Sequence, residues 1–318
     1  MIRRFAYNKI FRTTGMLLLF LLLLLFPAAK EYSLEDENTS VVNKTTYKRE
    51  VYLLDKNNYI SRCFVDINIT DNNKGAEKLV ELLINEGKYE SKIPNGFKTI
   101  IPSDTKILST KIVDDNVTVN LSNDLLELTD EMLKKALELM TYNLTTINNV
   151  KNVYIKIDGK LLEEYPESKS IINMPLTRKD GVNEEYNLGS YKDVYKTTIY
   201  YIGKNNSGYY YIPVTKINND NRDKIKIIVD ELTSSNIYQT NLMSFLNYNT
   251  KLNSYELKDD VLSVDFNNFL FDDASSNNIL EEVIYSICLS VRENYDVSEV
   301  IFMVDGKEIT KSVLKDIE

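Results

Sequence analysis

The sequence predicts an α+β protein of two tandem ββαββαβ modules, each a small sheet with two helices on one face, behind an N-terminal hydrophobic anchor. Three observations carry that expectation. The chain repeats itself at a nearly constant offset, strand-like and helix-like apolar spacings alternate in the same order in both copies, and one leucine-dense run precedes everything else.

The repeat is clearest at an offset of 147, which carries Leu133, Ala136, Leu137, Met140 and Leu144 onto Leu280, Val283, Ile284, Ile287 and Val291. It also carries Val150, Val153 and Ile157 onto Val297, Val300 and Val304, and Asp158-Gly159-Lys160 onto Asp305-Gly306-Lys307. An offset of 145 aligns Val117, Val119 and Leu121 with Leu262, Val264 and Phe266. At 149, Ala76, Leu79, Val80 and Leu83 meet Ile225, Ile228, Val229 and Leu232. The offset changes only between blocks, where loops absorb insertions.

Within the first copy, Val51–Leu54 and Tyr59–Ile67 are β-rich runs around a polar turn at Asp55–Asn58. A helix follows, with apolar residues at helical spacing from Ala76 to Leu83. Lys106–Val113 and Val117–Leu121 form a second hairpin, in which Val117, Val119 and Leu121 alternate as a half-buried strand requires. A second helix covers about 130–147, and strand Val150–Ile157 closes the copy. Asp158-Gly159 and Asp305-Gly306 are structural turns: Asp-Gly is a preferred pair where both central residues need positive φ, so each turns its strand back on itself.

The resulting segments are a hydrophobic anchor at 1–30, a polar tether at 31–48, a first module at 49–162, a linker at 163–196 and a second module at 197–318. Pro166, Pro175, Gly181 and Gly189 punctuate the linker. In the anchor, Met16–Phe26 reads MLLLFLLLLLF and follows four basic residues, a pattern that directs a chain to a membrane with its head in the cytoplasm. The apolar stretch from Gly15 to Ala29 is short for a span and long for a removable signal. Pro27 would stand at the −3 position of a cut after Ala29, which favours an uncleaved anchor over a removed signal peptide. On either alternative the body is extracytoplasmic.

Composition excludes several chemistries. The 318-residue chain has no histidine, which removes Ser-His-Asp and Cys-His catalysis and His-ligated zinc. Cys63 and Cys288 read as small core hydrophobes, with a single bridge between them as the alternative. The first thirty residues hold five basic and no acidic side chains, so the −9 of the whole chain becomes −14 for residues 31–318. Such a body repels phosphate backbones, and nucleic acid is not expected as a partner. Asp114-Asp115 and Asp259-Asp260 sit at hairpin turns without a calcium-loop pattern, and Asp265 is a lone strand carboxylate. No P-loop, G-x-S-x-G or dinucleotide fingerprint occurs. Neither a metal, a cofactor nor an enzymatic activity is therefore expected.

The first hairpin of the second copy, IYYIGKNNSGYYYIP, gathers Tyr200, Tyr201, Tyr209, Tyr210 and Tyr211. Cross-strand pairing explains such a cluster in part. Alternation suggests that one core cannot hide all five, so these are the candidate protein-contact residues, with sugar stacking as the alternative use of exposed tyrosine.

IPSDTKILSTKIVDDNVTVNLS at Ile101–Ser122 with VYIKIDGK at Val153–Lys160, and TKLNSYELKDDVLSVDFNN at Thr250–Asn268 with VIFMVDGK at Val300–Lys307, resemble the GerM-type sporulation and spore-germination family with tandem GerMN domains. The likeness covers nearly all of residues 50–310, although the second copy lacks the proline. It implies a fold similar to the ring-building modules of secretion-type assemblies. It further implies a non-enzymatic role in the space between the two membranes around a developing spore, with other sporulation membrane-complex proteins as partners. The sequence departs from the family in having no cysteine after the leucine run, which puts lipid attachment in doubt. A cell-wall (peptidoglycan) binding module or hydrolase is the competing expectation, but no spacing reveals the two facing carboxylates that glycoside cleavage needs.

Overall fold

The computed structural model describes residues 48–69, 71–234, 237, 240–273 and 277–313. The expected anchor, and the tether up to residue 47, lie outside the described residues. Among the described residues, no helix is long and apolar enough to cross a membrane.

Both copies run in the expected order. The first comprises β1 (Lys48–Asp55), β2 (Ile60–Asp66), α1 (Asn72–Glu81), a short β3 (Phe97–Lys98), β4 (Ile107–Val113), β5 (Asn116–Leu121), α2 (Asp130–Leu144), β6 (Asn152–Ile157) and β7 (Lys160–Leu161). β8 (Glu185–Asn187) lies in the connecting segment. The second copy comprises β9 (Tyr195–Asn205), β10 (Gly208–Asn218), α3 (Lys224–Thr233), β11 (Leu252–Lys258), β12 (Val261–Phe266), α4 (Glu281–Asn294), β13 (Glu299–Val304) and β14 (Lys307–Val313).

The strands of each copy are divided between sheets. The second hairpin and the closing strands of a copy form a four-stranded sheet, β4-β5-β6-β7 in the first and β11-β12-β13-β14 in the second. In both, the middle pair is parallel and the outer pairs antiparallel. The two leading hairpins instead join in one six-stranded sheet, ordered β3-β1-β2-β10-β8 with β9 on β10. β2 meets β10 antiparallel at Arg62 and Tyr211. This arrangement follows from burial. β1 is buried at every position from Val51 to Asp55, and β9 from Thr197 to Gly203, so neither strand has a polar face to give to water. Strands apolar on both faces must be covered on both.

The four-stranded sheets follow the alternating rule. In β5, β6, β12 and β13 every second residue is buried, including Val119, Ile155, Val264 and Phe302. Asp71 caps α1 by accepting the Lys74 N–H at 2.9 Å, and Thr129 caps α2 in the same way from Met132. The Asp-Gly turns carry left-handed φ at both positions, 47° and 84° at Asp158-Gly159 and 48° and 76° at Asp305-Gly306. Nothing lies within 4 Å of a Cβ built on either glycine, so backbone conformation and not space selects glycine there. Asp265, the lone strand carboxylate, accepts the Gly306 N–H at 2.9 Å and so steadies this turn. Both cysteines are unpaired and buried, and burial raises the Cys288 thiol to about 11.

Candidate functional site

The shared sheet brings the copies together over a cluster of tyrosines, arginines and glutamates. It starts from two equivalent residues. Tyr52 of β1 donates its N–H to Asn143 Oδ1 of α2 at 3.0 Å, and Tyr200 of β9 donates its N–H to Ser290 Oγ of α4 at 2.8 Å. Asn143 and Ser290 are related by the same offset of 147 that relates the helices. The two phenol oxygens meet at 2.9 Å, a self-complementary contact of the kind seen across a two-fold axis.

Charges surround this pair. The Tyr52 hydroxyl lies 3.0 Å from Glu50 Oε1 and the Tyr200 hydroxyl 2.9 Å from Glu293 Oε1, so of the two phenol protons one serves a glutamate while the other is shared between the second glutamate and the neighbouring phenol. Glu50 binds Arg62 at 2.8 Å and Arg292 at 3.2 Å. Burial opposes ionisation of Glu50, yet Arg292 and Arg62 overcome it and hold the carboxyl near 2. Arg178, from the segment between the copies, closes the other side. Its guanidinium binds Glu293 at 2.5 Å, Thr145 Oγ1 at 2.7 Å and the Tyr142 carbonyl at 3.0 Å. It also lies 4.6 Å from the Tyr142 ring centre and 5.1 Å from that of Tyr52. The Glu293 side chain is only 5% exposed, against 21% for Arg178, so the acid depends on its partners for solvation.

Chemically, this arrangement fastens the two copies to each other. Both Glu50 oxygens and Glu293 Oε1 meet arginine or phenol donors, and among the described residues no group of three or more Cys, Asp or Glu is placed to hold a metal ion. A second polar contact across the copies joins the Tyr210 hydroxyl to Asp55 Oδ2 at 2.9 Å, while Asp55 Oδ1 accepts the N–H groups of Asn57 and Tyr59.

Of the five candidate contact tyrosines, of which some were expected to reach the surface, three are inside the molecule. Tyr200, Tyr201 and Tyr210 are buried, because the hairpin that bears them is covered on both faces, and they offer no area to an outside partner or a sugar ring. Tyr211 is half-buried against Tyr285, ring centres 5.7 Å apart. Tyr209 is the one with substantial exposure, 45%, and its ring meets Phe245 edge-on at 5.0 Å. The turn residues Asp158, Gly159, Asp305 and Gly306 stay at their turns, outside the cluster. Glu50, Arg62, Arg178, Arg292 and Glu293 were not expected from sequence. The uninterrupted apolar run in β9 hinted at a doubly covered strand, whereas nothing in the local pattern singles out Arg178.

Residues 50–163 and 198–310 each match the family profile described as "Germane: Sporulation and spore germination". The chain is 30% identical over 287 residues to the spore germination protein GerM of Bacillus subtilis strain 168, covering 88% of this chain and 78% of that protein. The solved structure of the tandem GerMN domains of the sporulation protein GerM from Bacillus subtilis superposes with a TM-score of 0.74 at 30% identity, over 82% of this chain and 92% of that one. With both copies matched along their length and the tandem arrangement shared, the chain belongs to the Germane family of sporulation and spore germination proteins.

Proposed function

We propose that this protein is a non-enzymatic assembly protein of a sporulating cell, anchored by its N-terminal leucine run on the extracytoplasmic face of the membrane. There it presents two modules as one rigid body to other proteins of a membrane complex. The observation that carries this reading is the fastening of the copies. A shared sheet and the Arg178–Glu293 clasp fix their separation and orientation, which two independent binding modules on a string would not need. Fixed bivalence raises the effective concentration of the second contact once the first has formed. With Tyr200, Tyr201 and Tyr210 buried, Tyr209 is the hairpin tyrosine left with substantial area for stacking, which weighs against a wall-binding role.

The test is co-purification from sporulating cells after chemical cross-linking, combined with membrane fractionation. Expected are retention in the membrane fraction through high-salt washing, release by detergent, and recovery of membrane-complex proteins that disappears when the gene is deleted. Release by salt alone would refute the anchor, since screening loosens surface charge and leaves a buried leucine run in place. Normal spore formation in the deletion strain, with nothing recovered on the wild-type chain, would refute the assembly role.

A further inference from the structure

The duplication offers an internal comparison of edge strands. In the first copy, the opening turn of α1 lies against the edge of β4. Asn73 Oδ1 accepts the Ile112 N–H at 2.8 Å, and the Asn73 carbonyl accepts the Thr110 hydroxyl at 3.2 Å. The first contact takes the outward Ile112 N–H, and with the helix turn held over Thr110 by the second, this stretch of β4 is obstructed to further pairing.

In the second copy that closure is missing. The offset of 149 places Asn221, Arg222 and Asp223 where the first copy has Asn72, Asn73 and Lys74, but α3 begins only at Lys224. The helix has lost the turn that would cover β11. Arg222 points its guanidinium at Asp220 and Asp230, at 2.8 and 2.6 Å, and not at the strand. An open groove of about 590 Å³ remains between α3 and β11, with Lys226, Val229, Lys251, Leu252 and Tyr255 in its wall.

The edge backbone of β11, along this groove at Tyr255 and just past it at Leu257, is ready to pair. Asp259-Asp260 is a two-residue loop joining Lys258 to Val261, so that pair exchanges both ladder bonds. The alternate residues Leu257 and Tyr255, opposite Leu262 and Val264, therefore turn their N–H and C=O groups outward. Leu257 corresponds to Ile112 by the hairpin offset of 145, and its side chain is 56% exposed. Charge selects the occupant. Among the described residues, Lys226 and Lys251 enter no ion pair, and Lys226 lies 5.5 Å from the Tyr255 ring centre. Asp230 is already bound by Arg222, and Asp223 accepts the Tyr255 hydroxyl.

We propose that the groove between α3 and β11 receives an extended, acidic segment of a partner protein, which adds to the β11 edge as a fifth strand of the second four-stranded sheet. Backbone pairing at Tyr255 and Leu257 supplies the register, and alternate acidic side chains meet Lys226 and Lys251. The proposal deepens the assembly reading and rests on it, naming the surface that one partner uses.

The test uses the full chain in detergent micelles and a fluorescein-labelled octapeptide of alternating glutamate and valine, beside its lysine–valine counterpart. Expected is saturable binding of the glutamate peptide alone, with slowed hydrogen exchange at the Tyr255 and Leu257 amides. Affinity should fall at least tenfold in the Lys226→Glu/Lys251→Glu double variant, whose circular dichroism should match the wild type. Absence of binding, equal binding of the lysine peptide, or binding without protection of β11 would each overturn the proposal. The same variant in sporulating cells separates the two readings. Undiminished recruitment by it sinks the groove and leaves the assembly role standing, whereas a wild-type chain that recruits nothing sinks the assembly role itself.

Discussion

Arg178→Met should loosen the molecule where its copies join. The guanidinium makes an ion pair with Glu293, hydrogen bonds to Thr145 and the Tyr142 carbonyl, and faces two aromatic rings. Methionine keeps much of the stem's packing but leaves the Glu293 carboxylate, 5% exposed, with the Tyr200 hydroxyl as its nearest donor. Breaking a buried pair from one side costs roughly 3–5 kcal/mol. Because the guanidinium itself retains 21% exposure, water can reach the vacated side, and about 2–4 kcal/mol is the expected loss. At roughly 2–4 °C per kcal/mol for a body of this size, the melting temperature should drop by about 4–16 °C. Urea unfolding followed by far-ultraviolet circular dichroism measures the difference directly. The diagnostic is the double variant Arg178→Met/Glu293→Gln, in which the stranded charge is gone. It should recover about half of the loss or more, with a coupling energy of roughly 1–3 kcal/mol. A single variant within 0.5 kcal/mol of wild type, a surface-like effect, or a double variant no better than the single, would refute the clasp.

Three further outcomes are expected. Gly203→Ala places a Cβ 2.4 Å from Tyr210 Cε2, so it should displace the ring whose hydroxyl binds Asp55 and destabilise by roughly 1–3 kcal/mol in the same unfolding assay. Burial, opposed by Lys134, raises the Glu138 carboxyl to about 7; the folded chain then holds a proton that the unfolded chain releases from about 4.5, and stability should fall as pH rises through that window. Glu138→Gln should flatten the slope and add roughly 1–3 kcal/mol at pH 8, read from melts across pH. Tyr209→Ser should weaken recovery of partners from sporulating cells while Asp305→Asn leaves it unchanged, since Tyr209 is exposed and asparagine tolerates the same turn conformation.

The modules were legible because their signals are local and occur twice. Alternation in β5 and β12, helical spacing in α2 and α4, and the Asp-Gly turns each specify an element without reference to the rest of the chain. Pairing between hairpins has no such signal. Nothing in IYYIGKNNSGYYYIP states that β10 will meet β2; the expectation that some of its tyrosines reach the surface holds for Tyr209, but which ones do depends on what covers the hairpin. The observed strand is covered on both faces, which its uninterrupted apolar run allows, but that run does not say which element supplies the second cover. Arg178 was illegible for a related reason. A basic residue in a connecting segment is ordinarily solvated, and only the opposing Glu293, more than a hundred positions away in sequence, gives it a structural task.

That task becomes intelligible once the copies are compared. Across the Tyr52–Tyr200 contact, the end of α4 supplies Arg292 and Glu293, and the offset of 147 places Thr145 and Thr146 at the matching end of α2. A strictly symmetric pair would carry an arginine on each helix. Here α2 has a threonine at that position, and its hydroxyl accepts from Arg178, so the guanidinium that the helix lacks enters from the segment between the copies. A single chain can break symmetry in this way because its connecting segment occurs once and can serve one side only. The same freedom explains the edge strands. Asn73 closes β4, whereas its counterpart Arg222 turns away and leaves β11 open. Two separate, identical chains would have closed both edges or neither. The fused copies close one and hold the other open at a fixed distance from it, as an assembly protein with one dedicated strand-accepting edge would require.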